Sequence, residues 1–453
     1  MEEFDLAVVG GGPGGMSAAR EAAKEKRVVV FEKGIEREDR DEPGPDSTDA
    51  AGFLNYWVNV ADFTPDFVDE MPVLQEINCA EFVGPNVTAT LRDTGISSWY
   101  DGFGFTFNRV AMDDLLRGLA EEAGAEYRVG KAVRGVESRE TKDGFVHDVS
   151  VAGAEDVCAD NVVLADGPSR RVTLPTLAQF DDGKVADALN PAKANHIAYQ
   201  EHRRFPEELF EDDVLRFWWG AMPGETAYPW YFPNDDNVVR LGMTAPMNVD
   251  VSEAKDDGYT LLREDDETQP SGEEYIRRLL EQEYPDYEIE DFPRVENRGK
   301  QKGVESYPIS STRPIESPAR AGVLVVGGAM GATSAFHEGG YHVAVGTGKA
   351  AGRVVAENRV EEYNDEWKDA VGEEIARNVG LASIVQEYEP DDWDRLFGHV
   401  NAAVDGSLLA RLKHAPAIYM IRREYLRGRK GYIAVREKEY NLKQAAKVRA
   451  DGG

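Results

Sequence analysis

"VVGGGPGGMSAA", residues 8–19, decides the fold. It follows an apolar run at residues 4–9 and opens an alanine-rich stretch that reads as a helix to about Lys26, ahead of a second apolar run, "RVVVFEK". That is a strand, a glycine turn, a helix and a strand, the βαβ unit of a nucleotide-binding domain. Gly10, Gly12 and Gly15 stand in G-x-G-x-x-G spacing. Gly10 permits the tight turn, Gly12 lets backbone approach a pyrophosphate, and Gly15 lets helix and strand pack closely. The free N–H groups of the helix start then face the phosphates. Glu32 ends the second strand 17 residues after Gly15, where a carboxylate bonds ribose hydroxyls and disfavours a 2′-phosphate, so NADP is not expected here. The glycine spacing alone is a weak signal, but a purely structural turn does not account for strand, helix and Glu32 together.

Two later segments return to this domain. "NVVLADGPSRR" (161–171) puts Asp166 and Gly167 after a strand, and "GVLVVGGAMGATSAFHEGGYHVAVGTGKAAG" (322–352) gives a strand, a second glycine turn and a second helix start. A chain that leaves its nucleotide domain and comes back some 150 residues later fits FAD better than a dehydrogenase's NAD. Between the returns, residues 80–108 alternate weakly and read as antiparallel strands. "RVAMDDLLRGLAEEAGA" reads as a helix ending at Gly124, an acidic helix is expected near 272–283, and the chain beyond 340 is mainly helical. The expected fold is α/β: a discontinuous Rossmann-like FAD domain (1–75, 105–180 and 300–355), an inserted antiparallel sheet domain for substrate (76–104 and 181–299) and a helical C-terminal region (356–453).

The 453 residues carry a formal net charge of −33, which argues against nucleic-acid binding. Such an acidic surface suits the high-salt cytoplasm of a halophile, where salt screens self-repulsion. Two cysteines, Cys79 and Cys158, are too few to ligate an iron–sulfur cluster alone. The N-terminus lacks a signal peptide and no run has the length of a membrane span, which points to a cytoplasmic protein that can still touch the inner membrane face. Residues 409–449 reverse the charge, with 12 Lys/Arg against three Glu, mixed with Leu, Ile, Tyr and Met. This tail is either an ion-paired brace on the acidic body or a peripheral contact for anionic lipid or an acidic partner.

The densest aromatic run is "FWWGAMPGETAYPWYFPNDDNVVRLGM", residues 217–243. Strand alternation puts Tyr228, Trp230 and Phe232 on one face and Tyr231 on the other. On pattern alone this is a core strand or the wall of an apolar cavity.

The chain resembles the geranylgeranyl reductase family, flavoproteins on the para-hydroxybenzoate-hydroxylase-type fold, over residues 4–355. The most specific mark is Tyr-x-Trp-x-Phe-Pro, then eight residues, then Gly-x-Gly: here Tyr228, Trp230, Phe232, Pro233 and Gly242, with Thr244 in place of the last glycine. Arg109 takes the place of the family's helix-leading arginine. The resemblance implies FAD contacts at Gly10, Gly12, Pro13, Gly14, Gly15, Glu32, Lys33, Arg109, Val133, Asp166, Gly167, Gly327, Gly328, Gly331 and Gly340. It implies prenyl-substrate contacts at Tyr228, Trp230, Phe232, Pro233 and Gly242. There are departures. Gly328 replaces the aspartate that holds the FAD ribityl chain, Ala335 replaces a proline, and Gly339–Gly340 replaces Glu-Gly, whereas Gly331, Ala344, Gly348 and Ala351 fit. The family's Cys-Gly-Gly loop reads "EPGPDSTDAAGF" here, so no thiol can donate a proton from it.

These readings lead to an FAD-dependent reductase that saturates prenyl double bonds of isoprenoid lipids, with no metal and with electrons from a donor such as reduced ferredoxin. His337 is the candidate proton donor, with Asp46, Ser47 and Thr48 as others. An FAD-dependent monooxygenase or halogenase, an electron-transfer-flavoprotein dehydrogenase and a subunit that has lost FAD are the alternatives on the same fold.

Overall fold

The computed structural model describes residues 1–34, 51–142, 144–189, 195–247, 249–255, 257–298, 302–310, 312–404 and 408–443. Asp46, Ser47 and Thr48, and residues 444–449 of the basic tail, lie outside the described residues.

Leu6, Ala7 and Val8 are fully buried, as are Val29 and Val30, so neither strand has a solvent face. Doubly buried parallel strands read as unbroken apolar runs. They form β1 (Glu2–Val9) and β2 (Val28–Glu32), joined by α1 (Pro13–Ala22). The helix stops at Ala22, short of Lys26: the N–H groups of both Glu25 and Lys26 close on the Ala22 carbonyl, and Lys24 and Glu25 are exposed. Glu126–Val129 pairs parallel outside β2, and Val157–Leu164 pairs parallel on the far side of β1. Val323–Val325 and the hairpin Val133–Thr141/Gly144–Val151 share the other edge of Val157–Leu164. The helix Arg109–Glu122, capped by the Asn108 side chain, ends before Gly124, whose φ of +104° suits glycine.

The helix Tyr341–Ala356 crosses α1 backbone to backbone. A Cβ on Gly348 would collide with the Gly14 carbonyl, and one on Gly352 with that of Ala18. These glycines let the start of the long helix come beside the first glycine turn.

The second sheet runs Val304–Ser310, Asn195–Arg204, Val238–Pro246, Tyr228–Pro233, Val214–Trp218, Cys79–Val83 and Thr88–Leu91. Its pairs are antiparallel except Val214–Trp218 with Cys79–Val83. The helix Gly272–Glu283 covers its back, with Tyr275, Ile276 and Leu279 buried. A small third sheet joins Ala51–Leu54, Gly104–Phe107 and Val73–Ile77.

The helices Tyr363–Val385 and Pro390–Val404 pack into this body. Trp393 lies 4.5 Å from Trp219, ring centre to ring centre. The basic tail divides. Residues 429–443 brace: Arg429 pairs with Glu373, the Val435 carbonyl accepts from the Glu316 N–H, and the Tyr440 hydroxyl donates to the Glu316 carbonyl. In the helix before them, Leu408–Gly428, Tyr425 and Gly428 meet Gly380 and Ser383, and His414 meets His399.

Candidate functional site

The nucleotide side is shaped by backbone. At Gly10, φ is +105° and a Cβ would stand 2.5 Å from the Ala165 carbonyl oxygen. A Cβ on Gly15 would collide with the Gly10 carbonyl, so this glycine sets the approach of α1 to β1. Gly12 differs: it is the N-cap of α1, followed by Pro13 and Gly14, and nothing lies within 4 Å of where its Cβ would stand. That open side at a helix start is the space a pyrophosphate needs. Glu32 is fixed at the mouth of the turn, one carboxylate oxygen accepting from the Gly11 N–H and the other from that of Gly34, both at 2.7 Å. The residues present therefore fit a dinucleotide.

Beside this turn lies a cavity of about 710 Å³. Lys33, Arg109, Asp166 and Gly340 are among its lining residues. Arg109 bonds Asp113 at 2.9 Å and lies 4.5 Å over the Tyr341 ring. The Asp166 carboxylate accepts from the N–H groups of Val172 and Thr173 and from the Thr173 hydroxyl, which fixes the turn at Gly167. Val133 is half-buried at a strand start and is not among the cavity-lining residues. Gly327 and Gly328 begin a short turn ending at Gly331, where φ is +86°. No carboxylate stands at Gly328. The turn is held from behind by Arg170, which is fully buried and donates to the carbonyls of Gly328 (3.1 Å), Ala329 (3.2 Å) and Leu189 (2.6 Å) and to the Thr312 hydroxyl (2.9 Å). Burial depresses this guanidinium to about 10.

The other end of the cavity is shaped by rings. Tyr228, Trp230 and Phe232 line the cavity, whereas Tyr231 is fully buried on the opposite face, 5.5 Å from Phe205. Trp230 pairs with Gly242 across the strands, and a Cβ on Gly242 would collide with the indole. The glycine of the motif exists so that the ring can lie flat across the neighbouring strand. Thr244, in place of the next glycine, pairs with Tyr228 and donates to Glu338 Oε2 at 2.5 Å. Pro233 is buried, its carbonyl accepting from Thr106. Arg240 lies 4.7 Å over Phe232.

A buried carboxylate from the helical region also reaches the cavity wall. Glu374, on Tyr363–Val385, accepts from Asn378 (2.9 Å), Trp57 (3.2 Å), Tyr56 (3.3 Å) and Arg377 (2.5 Å). His342 Nε2 lies 3.4 Å and His337 Nε2 3.9 Å from the same carboxylate. Burial opposes ionisation of Glu374, but the two histidines overcome it and hold the carboxyl well below the usual range. Burial pushes His342 down. His337 stacks 4.9 Å from Trp57, its Nδ1 accepts from the Gly339 N–H, and its Nε2 is buried toward Glu374. Among the described residues these three are the one cluster spaced to hold a metal ion. Donors already surround Glu374, and the Gly339 N–H donates to His337 Nδ1, so the three also belong to a hydrogen-bond network.

The sequence reading missed Glu374, His342, Arg170 and the pairing of Glu338. Apart from Arg377 and Asn378, one helical turn from Glu374, the partners named here lie 19 or more residues away in the chain.

With this geometry in place, the comparisons gain meaning. The chain is similar to digeranylgeranylglycerophospholipid reductases. Reductase 1 of Methanococcoides burtonii is 24% identical over 406 residues, 87% of each chain. A family model for an NAD(P)-binding Rossmann-like domain matches residues 8–36. Among solved structures, a geranylgeranyl bacteriochlorophyll reductase-like protein from Thermoplasma acidophilum superposes with a TM-score of 0.67 at 22% identity, covering 96% of this chain and all of that one. The flavin-dependent brominase Bmp2 superposes at 0.58 and 13% identity, with both chains fully covered. The fold is thus one shared by flavin-dependent enzymes of different chemistry, and the contents of the cavity must choose among them.

Proposed function

We propose that the protein is an FAD-dependent reductase that saturates the double bonds of prenyl chains, with geranylgeranyl lipids of the digeranylgeranylglycerophospholipid type as substrates. The observation that carries this reading is Trp230 laid across Gly242 in a ring-lined cavity beside the glycine turn. A prenyl chain has no polar handle along its length and binds by buried area, roughly 25 cal/mol per Å². Rings supply that area with few rotamers to freeze. Gly12, Glu32 and the turn at Gly327–Gly328 would hold the dinucleotide. The reduced cofactor supplies hydride to one alkene carbon. The chain's own residues position the alkene, keep water out and provide a proton for the other carbon. In an anaerobic assay with reduced holoprotein, a geranylgeranyl lipid should gain two hydrogens per bond by mass. Turnover that needs oxygen or halide instead would move the protein to the hydroxylase and halogenase class.

The exposed side of Leu408–Gly428 fits the surface of an anionic membrane, from which such a lipid would be drawn. Tyr419, Met420 and Leu426 are 67%, 49% and 48% exposed, and Arg422, Arg423, Arg427 and Lys430 are exposed beside them. Three of the eight exposed large apolar residues among the described residues thus share one basic helix on a protein of net charge −33. Among the described residues no helix is long and apolar enough to cross a membrane. Changing Tyr419, Met420 and Leu426 to Ser with Arg423 and Arg427 to Gln should cut cosedimentation with phosphatidylglycerol vesicles at least ~10-fold, with the melting temperature retained. Intact vesicle binding with lost binding of reduced ferredoxin would make this the donor's site instead.

A further inference from the structure

Glu338 lies on the wall of the ring-lined cavity. Its φ is +58°, a left-handed conformation in a residue that is not glycine, next to Gly339 and Gly340, which could have taken it freely. Its side chain is 2% exposed. A carboxylate there is costly unless fully bonded. It is bonded on both oxygens: Oε2 accepts from Thr244, and Oε1 accepts from Thr226 at 3.1 Å and pairs with His196 Nδ1. Each partner comes from a different segment: His196 from the strand Asn195–Arg204, Thr244 from Val238–Pro246, and Thr226 from the loop before the aromatic strand.

The array bridges two cavities. Glu338 and Thr244 line the ring-walled one, whereas His196 and Thr226 line a second, more polar cavity of about 540 Å³ on the other side of the loop 333–340. Other titratable or charged groups facing Glu338 are Tyr228 and Tyr307. The Tyr228 hydroxyl is committed to the His337 carbonyl at 2.5 Å. Burial pushes Tyr307 up to about 12, against the pull of Arg240. Both phenols are therefore poor acids, and His337 has neither ring nitrogen turned to the cavity. An acid on the wall, and a base behind it open to a separate water-accessible space, is the arrangement a proton donor needs.

We propose that Glu338 is the proton donor for prenyl saturation and that His196 recharges it from the second cavity. This rests on the reductase reading above. Hydride from the reduced cofactor forms a C–H bond at one alkene carbon as the π bond breaks. The proton on the Glu338 carboxyl forms the C–H bond at the other carbon, leaving carboxylate. His196 then returns a proton to Glu338 and takes one from solvent, so that one hydride and one proton are consumed per double bond. Thr244 and Thr226 are positioning residues that aim the carboxyl.

The test begins with wild-type holoprotein and a geranylgeranyl lipid under anaerobic conditions. A wild type that leaves the lipid unsaturated overturns the reductase reading itself. Given wild-type turnover, Glu338→Gln should lower kcat by ~10²-fold or more, with KM and the lipid's quenching of tryptophan fluorescence within about twofold. Glu338→Asp should recover part of the loss. His196→Ala, which enlarges the second cavity, should lose at least ~10-fold in kcat and regain it with added imidazole. A glutamine variant that turns over within threefold of wild type overturns the inference and leaves the reductase reading standing. So does a loss confined to KM, or a His196→Ala variant that imidazole does not rescue. The imidazole rescue decides the matter even if the Glu338 variants fold poorly.

Discussion

A Cβ at Gly12 would meet nothing within 4 Å; a Cβ at Gly242 would run into an indole. Both glycines fall on motifs in the sequence, yet they do opposite work. On the cofactor side, side chains are left out so that backbone can meet phosphate. On the substrate side, one side chain is left out so that a larger one can lie down. The first arrangement is set by backbone, its own and that of Ala165 and of the helix Tyr341–Ala356 packed against it. The second needs a neighbouring strand in register, Trp230 against Gly242 and Tyr228 against Thr244. Mutations on the two sides should therefore have separate effects.

The largest effects should come from the glycine turn. Gly15→Val should abolish folding, because its Cβ has no room against the Gly10 carbonyl. Gly12→Val should fold with a melting curve like that of the cofactor-free wild type, yet purify without flavin absorbance. Stoichiometric flavin in the folded Gly12→Val protein would mean that the phosphates lie elsewhere.

Next is the aromatic wall. Gly242→Ala should push Trp230 off its strand and, like Trp230→Ala, lower kcat/KM for a geranylgeranyl lipid by ~10-fold or more, with flavin still bound. If both variants lose flavin along with activity, the two ends are one cooperative unit and the contrast fails.

A smaller effect probes both sheets through pH. Each holds a buried histidine: His147 in the cofactor sheet, held at about 4 by burial, and His202 in the substrate sheet, held at about 3 by burial and then by Arg240 and Arg298. The unfolded chain protonates these side chains near pH 6.5 and the folded one does not. Their stability contribution is full above about pH 6.5 and is lost as pH falls toward the folded values. His147 alone should cost about 3 kcal/mol by pH 4, at roughly 1.4 kcal/mol per unit. Urea titrations of His147→Gln should show a shallower fall between pH 7 and 4; an unchanged slope would mean that His147 is protonated in the fold.

The smallest expected effect is that of salt. With a net charge of −33, raising KCl should raise the melting temperature through screening of self-repulsion, in both halves alike. A flat or falling curve would remove the high-salt reading of the composition.

What could be read from the sequence follows from the same contrast. The turn, β1, α1 and β2 were legible because contact and sequence run together there. The face of Tyr228, Trp230 and Phe232 was legible because alternation settles it, and Tyr231 does turn away. Thr244 was visible as a departure, but its reason, Glu338, lies 94 residues away. Glu374 gathers local donors from residues 377 and 378, one helical turn on, but also distant ones from 56, 57 and 342. Side chains that meet only through tertiary packing leave no local trace.

The rings are proposed to hold a prenyl chain against a reduced flavin. A single-turnover experiment tests it most directly: holoprotein reduced anaerobically by one equivalent of dithionite, then mixed with a geranylgeranyl lipid. The account predicts that flavin absorbance returns as one double bond per flavin is saturated, seen as a mass gain of two hydrogens. Flavin that stays reduced beside unchanged lipid, and reoxidises only when oxygen is admitted, would contradict it.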